Sequence, residues 1–164
     1  MKKTVSTILA VILLFLFCNP TITLASDDVF VDWQDINLSE SELNDILDIK
    51  TNNERATGLI LTYSLGIKKD GNNLIIAGTT GCTSTVVKCG FKEVVIQRRA
   101  NSTQEWTDYV TYKDLYDDGF SYMLGKSFAV GSGYQYRVTA IHYAKKNILM
   151  TQKIENTSNT VVFA

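Results

Sequence analysis

Between Gly58 and Phe163 the apolar residues recur with a period of two, in short runs separated by turn residues. A strand points successive side chains to opposite faces, so this period predicts β-strands with one face in a core. Leu59, Leu61, Tyr63, Leu65 and Ile67 fall on one face of the first run. Lys69-Asp70-Gly71-Asn72-Asn73 then reads as a turn, and Leu74-Ile75-Ile76-Ala77 as a buried strand. Glu93–Arg98, Glu105–Tyr112, a run from Phe120 to Val130, Tyr134–Ala140 and one or two strands from Ile148 to Phe163 complete the series. Proline removes a ladder donor, and it occurs once, at Pro20, outside all of these runs. About seven short strands predict an all-β fold, an antiparallel β-sandwich, with a closed barrel as the alternative.

The first residues follow other rules. Met1-Lys2-Lys3 is positively charged, Ile8–Phe17 is an unbroken apolar run of ten residues, and Thr23 and Ala25 place small residues at −3 and −1. That order predicts a secretory signal peptide over 1–25, cleaved after Ala25. A membrane span needs about 20 apolar residues, a length reached here only by counting Asn19 and Pro20. An uncleaved anchor is the alternative. Cys18 follows the bulky Phe17, the wrong neighbour for lipoprotein processing. No second apolar stretch lies near the C-terminus, so the mature chain, 26–164, is expected to be secreted, either released or held at the envelope by non-covalent contacts.

Charge divides the mature chain further. The whole sequence carries 16 basic and 17 acidic residues, a near balance that argues against a general nucleic-acid binder. Residues 26–56 hold nine acids and two bases, whereas 57–164 hold eight acids and twelve bases. Opposite signs favour docking of the first segment on the second, and a mobile acidic terminus is the other outcome. Within the acidic segment Ser39 and Glu42 have capping-box spacing, and Leu43, Ile46 and Leu47 form one apolar stripe. A short helix over about 39–49 is expected there. The domain reading is therefore a leader over 1–25, an acidic segment over 26–56 and a sandwich over 57–164.

The residues able to carry chemistry are few. Cys82 and Cys89 are the mature chain's pair of cysteines, and export favours a disulfide between them over free thiols. Zinc takes about four ligands, more than two cysteines and the distant His142 supply, so no metal and no cofactor is expected. His142 ends a strand in its inward phase, which fits packing better than general-base chemistry. Asp117-Asp118-Gly119 is ordinary turn chemistry rather than a glycosidase pair. Trp106, Tyr109, Tyr112 and Tyr116 lie within eleven residues, a candidate binding surface. By strict alternation Trp106 and Tyr112 share a face and Tyr109 lies on the other.

Tyr136-x-Val138-x-Ala140, entered from Gly131-Ser132-Gly133, resembles a strand of fibronectin type III and immunoglobulin-like sandwiches. In those folds an aromatic near the strand's start reaches back to the backbone at the corner, and Tyr134 and Tyr136 both fit that part. Val94-x-Ile96-x-Arg98 followed by Trp106 looks like the adjoining pair of strands. More of the chain is similar to an uncharacterised family of small secreted proteins from Gram-positive bacteria of the Firmicutes type. The likeness rests on the leader, Ala77-Gly78-Thr79-Thr80, Val94-x-Ile96-Gln97-Arg98, Trp106, and Gly133-Tyr134-x-Tyr136-Arg137-Val138 leading to His142. It implies a secreted β-rich domain and carries no catalytic residues.

The functional expectation is a non-catalytic binding or interaction module at the cell envelope or outside the cell, with a protein or a cell-wall glycan as partner. A small secreted hydrolase using acids and His142 is the runner-up. A third reading is an envelope-stress or competition factor held at the membrane by its uncleaved start.

Overall fold

A computed structural model describes residues 33–48, 54–55 and 58–164. The leader expected over 1–25, its cleavage point and Cys18 lie outside the described residues. The elements are β1 (Gln34–Asp35), α1 (Glu40–Asp48), β2 (Glu54–Arg55), β3 (Ile60–Asp70), β4 (Asn73–Cys82), β5 (Lys88–Arg99), β6 (Thr107–Asp118), β7 (Ser121–Ala129), β8 (Tyr134–Lys145), β9 (Thr151–Thr157) and β10 (Val161–Phe163). They form two antiparallel sheets, a β-sandwich. The first has the order β1-β7-β4-β3-β2; in the second β6, β5 and β8 are neighbours, and β9 and β10 share the remaining edge of β8. The chain changes sheet after β4, after β6 and after β7, which is Greek-key connectivity. Seven strands are long, as the periodicity predicts, and β1, β2 and β10 are edge additions of two or three residues.

Between the sheets lie Leu65, Ile67, Leu74, Ile76, Leu124 and Phe128 from one side and Phe91, Val94, Ile96, Tyr136 and Val138 from the other, all buried. Each such side chain contributes about 1.5–3 kcal/mol on leaving water. Tyr136 is fully buried and its hydroxyl donates to the Gly131 carbonyl at 3.0 Å, so Tyr136 and not Tyr134 makes the corner. Tyr136→Phe keeps the ring but removes this hydrogen bond, so a loss of about 0.5–1.5 kcal/mol in chemical denaturation is expected. An unchanged midpoint would show that water satisfies the carbonyl instead.

Strict alternation fails at three places, all bulges. In β3 the register shifts between Ile60 and Thr62, so Ile60 rather than Leu59 or Leu61 enters the core, and Leu61 is left exposed. In β5–β6 Ile96 opposes Val110 and Gln97 opposes Asp108, so Tyr109 is the extra residue. In β5–β8 the pairing passes over Lys92.

The acidic segment docks on the first sheet: residues 34–35 join its edge as β1 beside β7, and residues 36–48 cover its outer face. Glu42 accepts the Ser39 amide at 2.9 Å, and the Glu42 amide donates to the Ser39 hydroxyl at 3.3 Å, completing the expected capping box. The Ser39 hydroxyl, which donates to the Glu42 carboxylate at 2.6 Å, and the Ser39 amide hold the Glu42 carboxyl below its usual range. The receiving surface is a row of small residues in register, Gly66, Ala77 and Gly125. A Cβ on Gly66 would lie 2.5 Å from the Ile46 carbonyl oxygen, and one on Gly125 2.6 Å from that of Ile36. Ile46 and Leu47 bury against Ala77 and Ile75, while Leu38 and Leu43 flank them. Charge follows packing: Asp45 pairs with Lys68 and Asp35 with Lys126.

The two open sides of the sandwich close differently. At the β6–β7 side the ring centroids of Trp33 and Tyr112 lie 3.6 Å apart, and Lys126, in the phase of Leu124 and Phe128, reaches out beneath Trp33 to Asp35. At the β3–β9 side two amide side chains act as pieces of strand. Gln152 accepts the Leu59 and Ile60 amides at 2.6 and 2.9 Å. Asn159 accepts the Ile67 amide at 2.9 Å and donates to its carbonyl at 2.8 Å. A carboxamide offers the same donor and acceptor as a peptide unit, which is why Asn and Gln serve here.

Candidate functional site

The four aromatic residues of the 105–116 region do not share one surface. With Tyr109 as the bulge residue, Tyr109 and Tyr112 both face inward: Tyr109 meets Phe128 and Tyr136 edge-on or tilted, and Tyr112 meets Trp33. The parity expected from the sequence is overturned by that one extra residue. Trp106 and Tyr116 lie at opposite ends of β6. The Trp106 ring is met by the guanidinium groups of Arg99 and Arg137, at 4.3 and 4.5 Å. Burial and the neighbouring Arg99 lower the Arg137 pKa. Tyr116 stacks against Tyr143, with ring centroids 4.9 Å apart, across Gly90, which pairs with both. Lys88 and Lys92 stand beside the Tyr116 ring.

Between these two ends the second sheet presents a shallow groove of about 320 Å³, lined by Glu93, Val95, Gln97, Thr139, Ile141 and Glu155 among others. Three of its polar side chains, Glu93, Gln97 and Asp108, are already engaged. Gln97 donates to Asp108 at 2.7 Å and accepts from Arg137 at 2.7 Å, and Lys113 lies 3.7 Å from Glu93.

His142 is fully buried, its ring 4.6 Å from that of Phe91 and 5.2 Å from that of Tyr63. The Thr80 hydroxyl donates to the Gly90 carbonyl at 3.1 Å and lies 2.8 Å from His142 Nδ1. A hydroxyl has one proton to give, so with that proton on Gly90 the Nδ1–H donates and Nε2 carries a bare lone pair. Nε2 is buried without a partner. Burial pushes the His142 pKa down to about 3. The ring is therefore neutral at physiological pH and closed off from solvent. Asp117 and Asp118 end β6, and Lys88 holds the Asp118 carboxylate at 2.8 Å, which lowers its pKa. Among the described residues no three His, Cys, Asp or Glu side chains cluster as metal ligands.

The strongest surface signal lies elsewhere. Thr83–Val87, Gly119-Phe120 and Lys146–Met150 are the connections at one end of the sandwich, after β4, β6 and β8. They are bonded together: the Val87 amide donates to the Lys145 carbonyl at 2.8 Å, that of Gly119 to Val87 at 3.0 Å, and that of Cys82 to Phe120 at 2.7 Å. On this end Val87, Phe120, Ile148, Leu149 and Met150 are all exposed, Ile148 to 89% and Leu149 to 92%. The turn that carries the last three is closed by its own chain. Asn147 Oδ1 accepts the Leu149 and Met150 amides, each at 2.9 Å, and the Lys146 amide donates to the Met150 carbonyl at 3.0 Å. The sequence expectation put Ile148–Met150 in a strand, but β9 begins at Thr151. The signal available in the sequence was Asn147 followed by three consecutive apolar residues, a run that breaks the period of two.

Compared with known proteins, the chain matches no protein-family model, no curated protein and no solved structure. No helix among the described residues is long and apolar enough to cross a membrane.

Proposed function

We propose that this chain is an exported, non-catalytic interaction module, working at the cell envelope or outside the cell, that binds a protein through its apolar loop end. The observation that carries the reading is the set of five exposed apolar side chains on three mutually bonded loops. Large apolar groups held in water by an ordered turn gain about 1.5–3 kcal/mol each when a partner covers them, and the ordered turn loses little entropy on binding. An aliphatic tip offers sugars few hydrogen bonds, which favours a protein pocket over a cell-wall glycan. The burial and neutrality of His142 weigh against the hydrolase alternative, and the export reading rests on the leader sequence.

A photo-reactive residue at position 149 in the exported full chain is expected to cross-link one recurrent protein, while the same group at Ser132, on the opposite end, does not. The double change Ile148→Asp and Leu149→Asp should cut capture at least about tenfold, because burying a carboxylate replaces burying an aliphatic group. Stability should stay within about 0.5 kcal/mol, since both side chains already stand in water. Equal capture from both ends would remove the reading.

A further inference from the structure

We propose that Cys82 and Cys89 close a disulfide that ties the end of β4 in one sheet to the start of β5 in the other and clasps the Thr83–Val87 loop at the apolar end. The two sulfurs lie 2.8 Å apart, both side chains are buried, and they sit in one cluster with Ile60, Tyr63, Val86 and Ala144. Reaching the bonded distance of about 2.05 Å takes a shift of less than about 1 Å, so the fold needs no rearrangement. Cys89 also donates to the Thr80 carbonyl at 3.1 Å, which fixes its rotamer toward Cys82. A metal role lacks further ligands among the described residues.

The chemistry is thiol–disulfide exchange. A thiolate of the pair attacks the disulfide of an oxidant, such as a thiol oxidoreductase or a small-molecule disulfide, and displaces one of its thiols. The second thiolate attacks the resulting mixed disulfide, forms the Cys82–Cys89 bond and displaces the other thiol. The protein loses two protons and two electrons, and the oxidant becomes two thiols. Cys89 is fully buried and Cys82 nearly so, so exchange has to occur before Ile60, Tyr63 and Ala144 close over the pair. The bond is accordingly structural rather than a switch read in the folded state. In the cell an oxidising compartment supplies the oxidant, and in that respect alone the inference rests on export.

Refolding the reduced full chain in a mixture of oxidised and reduced glutathione tests it independently of export and of any partner. Lys88 is a tryptic site between the two cysteines, so after alkylation without reduction a bridge is read as residues 70–88 linked to residues 89–92. The linked pair is expected, with a melting temperature about 10 °C above that of the same chain kept reduced. The double change Cys82→Ala and Cys89→Ala should melt alike with and without reductant. Alkylation of both cysteines after refolding, a bridge that leaves the melting temperature unchanged, or a reductant response in the double variant each overturns the proposal.

Discussion

Gly90→Ala is expected to cost about 3–5 kcal/mol, the largest loss from any single methyl group in this fold. Two effects add. Gly90 has φ of 151°, a conformation L-residues rarely adopt, which costs about 1–3 kcal/mol. Its new Cβ would also lie 2.4 Å from the Leu115 carbonyl oxygen and 2.5 Å from Tyr116 Cα, both on the neighbouring strand β6. Those atoms are backbone, so the ladder itself has to move, with an overpacking cost of about 1–3 kcal/mol. Moving it also parts Tyr116 from Tyr143, whose rings meet over the glycine. Gly71→Ala separates the two effects: φ is 57° there and nothing lies within 4 Å of the new Cβ, so about 1 kcal/mol is expected. Urea midpoints measure both. Equal losses at Gly90 and Gly71 would mean that β6 yields freely.

The second large effect is in pH. The His142 pKa is about 3 in the folded chain against an ordinary 6.5, so between those values the unfolded chain binds one proton more. Stability therefore falls as pH falls through this window, by up to about 1.4 kcal/mol per unit. From pH 7.5 to 4.5 the histidine alone should remove about 2–3 kcal/mol. Asp114 and Asp118, whose pKa values are lowered by Lys92 and Lys88, act in the same direction only at more acidic pH. His142→Asn keeps a donor for the Thr80 hydroxyl and cannot titrate. Its stability is expected to be lower at pH 7.5 and nearly flat down to pH 4.5. A variant with the wild-type slope would assign the acid sensitivity to other groups.

Both effects follow from how tightly the second sheet is drawn around Gly90, Thr80 and His142. The apolar end is built on the same strands. Val87 leads into β5, which carries Gly90, and Ile148–Met150 stand on the turn that follows β8, which carries His142. A surface with this backing holds its shape when free, which is the property a preorganised binding tip requires.

Much of the local structure was legible. The helix at Glu40–Asp48 follows from Ser39, Glu42 and the stripe Leu43, Ile46 and Leu47, because capping and a helical face depend on residues three or four apart. The Lys69–Asn73 turn and the corner tyrosine were visible for a similar reason, although choosing Tyr136 over Tyr134 needed the Gly131 carbonyl in place. The candidate surface was less legible. One bulge at Tyr109 turned half of the aromatic set inward, and no spacing rule within β6 announces a bulge that is fixed by pairing with β5.

The sequence by itself determined the all-β class, the approximate strand number, the capped helix and the expectation of export, since alternation, caps and leaders are properties of neighbouring residues. Tertiary structure alone decided the register. It brought Gly66, Ala77 and Gly125 into one row for the acidic segment, set the two cysteine sulfurs side by side, buried His142 on Thr80, and gathered Val87, Phe120 and Ile148–Met150 at one end. Those arrangements join residues up to about ninety positions apart, such as Asp35 with Lys126. Their placement depends on which strands pair and where a bulge intervenes, a balance struck over the whole sandwich rather than within any one strand.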